Sequence, residues 1–143
     1  MSTQAILLPL FVEVILSFVL LFWLGPLRSR DLKSGIVRPE DVALREPKWS
    51  KGTLQVAYSF SNQFELPVLF YVLTILEYVT HSAGLAFVVL AWVFVVFRLL
   101  HAYVHVTSNI MRLRGAMYGV AALALAVAWV IYIVEVLSVA RPA

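Results

Sequence analysis

The chain has 143 residues, 62% hydrophobic and 13% charged, with a formal net charge of +3 and a mean hydropathy of +0.92. Soluble domains are about 45–50% apolar and about 25% charged, so this composition argues against a water-soluble fold. There is no cysteine, which excludes a disulfide framework, a thiol nucleophile and a cysteine metal site.

The first apolar run covers residues 5–25 and carries one charge, Glu13. Pro9 lies near its start, where proline disturbs a helix least. A cleaved signal peptide needs a basic leading region and a small-residue cleavage site. Residues 1–4 have no Lys or Arg, and the run ends in Phe22-Trp23-Leu24-Gly25-Pro26-Leu27, so it reads as a retained span.

A polar loop follows over 26–52, with Gly35, Pro39 and Pro47 marking turns. A short helix from Pro39 to Arg45 is expected, with Glu40 and Asp41 in its first turn. The second run covers 54–80 and is the least apolar, holding Asn62, Glu65, Pro67 and Glu77. The third covers 85–107 and contains Arg98, His101 and His105. The fourth covers 115–139 with Glu135 as its charge. Four crossings at about 20 residues each use about 80 residues and leave room for one sizeable loop. The expected fold is an all-α, integral-membrane bundle of four transmembrane helices in a single domain, 1–143.

Basic residues favour short cytoplasmic loops. Arg28, Arg30, Lys33, Arg38, Arg45, Lys48 and Lys51 lie in the first loop, and Arg112 and Arg114 in the third. The second loop, around His81 to Gly84, has no Lys or Arg, and the C-terminal tail has Arg141. The pattern predicts loops one and three in the cytoplasm and both termini on the opposite side.

Charge inside a bilayer costs about 2.5–3.5 kcal/mol per group on insertion scales and calls for a partner or a function. Glu13, Glu65 and Arg98 are the deep charges. At 1.5 Å per residue, Glu65 lies about 18 Å along the second span and Arg98 about 15 Å from the same face. A Glu65–Arg98 ion pair is therefore expected, within one subunit or between two. At about 100° per residue, Arg98, His101, His105, Asn109 and Arg112 share a stripe about 80° wide, and Tyr58, Asn62 and Glu65 form a second one. The two stripes suggest a buried polar site opening towards the basic loops.

Structural readings stand beside these. Asn62 could tie helices together, and the Glu65–Arg98 pair could be purely structural. Arg112 and Arg114 could be anchors at the headgroups. Glu77 and His81 read as a surface pair. His101 and His105 lack a third ligand and no HExxH is present, so no metal is expected. Gly115-Ala116-Met117-Tyr118-Gly119 fits a GxxxG pattern and favours close helix packing in an oligomer.

The stretch Asn62-Gln63-Phe64-Glu65-Leu66-Pro67-Val68-Leu69-Phe70 resembles the N-x-x-E…P-x-L-F signature of the MAPEG family, membrane-associated proteins in eicosanoid and glutathione metabolism. Arg98, His101, His105 and Arg112 are similar in spacing to that family's third span. The resemblance covers nearly the whole chain. It implies a four-helix bundle assembled as a homotrimer, with glutathione bound between adjacent subunits near the cytoplasmic face. Carried over by position, Arg112 would stabilise the glutathione thiolate. Asn62 and Glu65 would bind the glutathione backbone or hold the site together, and Arg28 or Arg30 would contact the cofactor. Arg98, His101 and His105 would complete the binding set. The family's glutathione-using members have an arginine where this chain has Tyr58, and aromatic residues where it has His101 and His105. Arg38, Arg45, Lys48 and Lys51 offer spare cations for anion binding.

The resulting expectation is a membrane-bound glutathione transferase or peroxidase acting on apolar electrophiles. Its partners would be membrane lipids and an apolar small molecule, not nucleic acid. A non-catalytic protein of the same fold, binding lipid or another anionic small molecule, is the alternative. A small proton-linked transporter using Glu65, Arg98 and His101 is a third.

Overall fold

A computed structural model of the chain describes residues 1–44 and 48–138. The expected anion-binding Arg45, the tail residue Arg141 and Val139 at the end of the expected fourth span lie outside the described residues. Among the described residues the fold is all-α.

Helix α1 runs Thr3–Lys33, with the Ser2 hydroxyl capping it by accepting from the Ala5 amide at 3.3 Å. Its 31 residues reach about 46 Å, well beyond the roughly 30 Å of a hydrocarbon core. Its last two turns therefore lie past the apolar run. Gly35 follows with φ +72°, a left-handed conformation that only glycine adopts without strain. Helix α2, Pro39–Val42, is a single turn closed by Asp41, whose carboxylate accepts from the Arg38 amide. The Lys48 ammonium hydrogen-bonded to Asp41 holds that carboxyl below its usual range.

The second apolar run is not one helix. Helix α3, Lys51–Ser61, passes into a 3-10 turn at Asn62–Phe64, and helix α4 restarts at Leu66–Val79. Pro67 explains the break, because it has no N–H to continue the ladder and sits in the first turn of α4. Glu65 takes up the change of direction at φ −102°, ψ −109°. Helix α5 covers Leu85–Val106 and α6 covers Met111–Ser138. Three helices, α1, α5 and α6, are long and apolar enough to cross a membrane.

The core lies where α5 packs along α6 with α1 and α4 against them. Phe70 stacks on Phe94 with ring centroids 4.6 Å apart. Ala121, Ala124 and Ala128 form the small face of α6 that is buried in the core, and α5 is the helix it packs against most extensively. Gly115 and Gly119 do not serve this purpose, since a Cβ at either would meet nothing within 4 Å. Their side of α6 is open.

Two non-glycine residues, His81 (φ 55°) and Asn109 (φ 50°), adopt the left-handed conformation just after helix ends. The turn at His81 folds Ser82 back over α4, so Glu77 accepts from the Ser82 hydroxyl at 2.9 Å instead of pairing with His81. The expected Glu77–His81 surface pair is absent, and Glu77 is buried.

Candidate functional site

Arg98 sits in the middle of α5 with no exposed surface, and Glu13 of α1 is equally buried. Their Nε and Oε1 atoms are 3.5 Å apart. Arg98 also donates through Nη2 to the Asn62 carbonyl at 3.0 Å. That carbonyl lies at the α3 break, where it also accepts from the Glu65 amide at 3.4 Å and Arg98 takes its second lone pair. One guanidinium thus ties three segments together: α1, the broken second run and α5.

The polar cluster continues towards the α5–α6 turn. His101 Nδ1 is 3.0 Å from the Arg114 carbonyl. Its ring meets His105 edge-on at 5.7 Å and Tyr118 at 5.6 Å. Arg98 lies 6.0 Å from the same Tyr118 ring. The Gln55 amide donates to the His105 and Thr107 carbonyls and fastens α3 to the end of α5. Glu13 Oε2, Arg98 Nη1, Gln63 Oε1, Ser59 Oγ, His101 Nε2 and His105 Nδ1 are buried with no protein partner. Orphaned buried polar atoms are costly, so this cluster has spare capacity for hydrogen bonds. Among the described residues no cluster of three metal-ligating side chains exists.

A cavity of about 690 Å3 opens between α1 and α3. Leu21 and Leu24 form its α1 wall, Tyr58 and Ser61 its α3 wall, and Phe64 of the 3-10 turn adds to the lining. Arg28 stands at its polar end, stacked over Trp49 at 5.3 Å. The lining mixes apolar and polar groups, with Arg28 its one cation among the described residues.

The other candidates are distributed as follows. Asn62 is half-buried beside Arg98. Glu65 is exposed at the helix break, and Arg112 is exposed on the first turn of α6; no ion pair joins either to another described residue. The expected Glu65–Arg98 pair does not form within the chain. The expectation assumed a straight helix through Asn62 and Glu65, and the break before Pro67 removes that phase relation. Arg28 and Arg30 are also separated: Arg28 lines the cavity, whereas Arg30 bonds Asp31 at 3.3 Å on another side of α1.

Residues 6–134, almost the entire chain, match the family model described as the MAPEG family. The chain belongs to the MAPEG family. Comparison with curated proteins and with solved structures returned no match. The resemblance read from Asn62, Glu65, Pro67, Arg98 and Arg112 is therefore right at the family level. As a MAPEG protein with three long apolar helices, the chain is an integral membrane protein, and the family's kind of function is membrane glutathione transferase-like.

Sequence reasoning on this MAPEG chain missed Glu13 as the partner of Arg98. The signal was present: Glu13 lies 11 residues before Leu24, about 17 Å from the basic face, close to the depth found for Arg98. It also missed Asp31, which has no exposed surface. Asp31 accepts from the Thr53 hydroxyl at 2.7 Å and the Ser50 amide at 3.1 Å, and so pins the start of α3 to the end of α1. Its polar surroundings in the sequence carried no sign of burial.

Proposed function

We propose that this protein is a membrane-bound glutathione transferase or peroxidase, assembled as a homotrimer of four-span protomers. The broken second run would provide the remaining crossing. The observation that carries the reading is Glu65, exposed and unpaired at the break of the second run, on a chain whose other deep charges, Glu13 and Arg98, are buried together, with Arg112 exposed and unpaired at the basic edge. Charge exposed at membrane depth is expensive, so a neighbouring protomer or a charged guest is the natural partner for Glu65, and Arg112 at the basic edge offers that guest a cation. The basic residues of loops one and three support a site on the cytoplasmic side. Gly115 and Gly119 leave an open face of α6 for close approach of a second copy.

The chemistry of glutathione fits the residues available. It carries two carboxylates, an ammonium and a thiol. Arg28 offers a cation for a carboxylate, Glu65 an anion for the ammonium, and Asn62 an amide for the peptide backbone. Arg112 faces the thiol. A free thiol has a pKa near 8.5 and is mostly protonated at neutral pH. Arginine stays charged, and its attraction for the thiolate strengthens where water is excluded. Arg112 therefore shifts the thiol towards thiolate without taking its proton, which leaves to solvent. With an electrophile that bears a leaving group, the new S–C bond forms as that group departs with its electron pair. The apolar electrophile enters from the lipid. Here the buried Arg98, His101 and His105 support the site from behind.

Tyr58 in place of the family's arginine favours a second reading, a non-catalytic MAPEG protein that holds lipid or another anionic small molecule. Equilibrium dialysis separates them. Purified trimer is expected to bind glutathione saturably, with a rise in thiolate absorbance. Absence of saturable binding and of any thiolate signal would overturn the enzyme reading.

A further inference from the structure

We infer that the outward face of the C-terminal third of α1 is a seat for one anionic glycerophospholipid, with its phosphate on Arg30 and Lys33. The inference stands apart from the proposed activity. Val19, Phe22, Trp23, Arg30 and Lys33 fall within about 100° of arc on α1. All five are exposed, Phe22 by 72%. Their order along the helix is apolar, then aromatic, then basic. At 1.5 Å per residue, Arg30 lies about 9 Å beyond Leu24, the height of the phosphate layer when the apolar run fills the hydrocarbon. Trp23 sits beside Leu24 at the end of the apolar run, the level that aromatic belts occupy.

Pro26, Ser29, Arg30, Lys33 and Ser34 border one shallow, open groove at the basic end. Arg30 and Lys33 are one turn apart, so both reach one phosphate, and the Ser29 hydroxyl stands in the same groove. Asp31 is the acid nearby. It has no exposed surface, and its Oδ2 is taken by Thr53 and Ser50. Its Oδ1 holds one edge of the Arg30 guanidinium, whose side chain remains 60% exposed. Arg28, two residues away, faces the cavity and takes no part. A phosphate supplies the missing negative charge, and an acyl chain covers Trp23, Phe22 and Val19.

The test reconstitutes full-length protein carrying W49F, W92F and W129F, which leaves Trp23 as the reporter, into phosphatidylcholine vesicles. Brominated-acyl phosphatidylglycerol is expected to quench Trp23 at about one-tenth the mole fraction needed with brominated-acyl phosphatidylcholine. Arg30→Gln with Lys33→Gln abolishes that preference, and Arg38→Gln keeps it. Equal quenching by the two lipids overturns the proposal, as does a preference that survives the double change or disappears in Arg38→Gln. Quenching by neither lipid also overturns it, because protein then covers the face. If the triple tryptophan variant does not fold, native mass spectrometry of the wild-type chain reads the same contrast: phosphatidylglycerol retained over phosphatidylcholine, and no such excess in the Arg30/Lys33 variant. Equal retention there overturns the proposal.

Discussion

Arg98 and Glu13 are held 3.5 Å apart with no exposed surface, and each makes the other tolerable. Removing one partner leaves an uncompensated buried charge, whereas replacing both with apolar groups removes the problem. Glu13→Leu alone is therefore expected to destabilise the fold by about 3–5 kcal/mol. Adding Arg98→Leu should recover most of the loss, as read by unfolding in mixed detergent. Equal damage from the single and double changes would mean that the pair does not set the energetics. Asp31 acts at the opposite end of α1. Asp31→Ala strands the Ser50 amide, leaves the Thr53 hydroxyl with the Ser50 hydroxyl as its partner, and is expected to cost about 1–3 kcal/mol. Hydrogen exchange at the start of α3 should rise in that variant while the α5 core stays protected.

At the scale of elements, the broken second run decides what Asn62 and Glu65 can do. At the break the Asn62 carbonyl serves both the Glu65 amide and Arg98, and Glu65 is left exposed. Pro67→Ala restores an N–H that can bond the Gln63 carbonyl. It is expected to raise helicity by circular dichroism and to weaken glutathione binding. Unchanged binding with a straightened helix would separate the break from the site. The α5–α6 seam is close-packed around Ala121, which has no exposed surface. Ala121→Leu should overpack it at a cost of about 1–3 kcal/mol, read as a lowered unfolding midpoint.

Four apolar runs and the loop between the first two were legible because apolar length and charge placement are strong local signals. The family was legible because Asn62, Glu65, Pro67, Arg98 and Arg112 keep their spacing. The partner of Arg98 was not, because two carboxylates lie at comparable depth and only the phase of a broken helix distinguishes them. Pro67 announced that break, yet a proline near a span's middle reads equally as a tolerated kink. The choice between Arg28 and Arg30 required the tertiary fold, since their separation is a matter of which side of α1 meets α3.

At the scale of the whole molecule, the interior of one chain holds Glu13, Arg98, His101 and His105, and the exterior holds Glu65 and Arg112. The inner set orders the helices, and on the proposed function the outer set is left for a neighbouring protomer and a thiol. The rate of glutathione conjugation to an apolar electrophile, measured for wild type and Arg112→Ala trimers of equal integrity, tests this division most directly. The account predicts measurable conjugation by the wild type and a fall of about 10²–10³ in the variant, the loss expected when one group stabilising a developing or resident anion is removed. An unchanged rate in Arg112→Ala, or no conjugation by intact wild-type trimer, would contradict it.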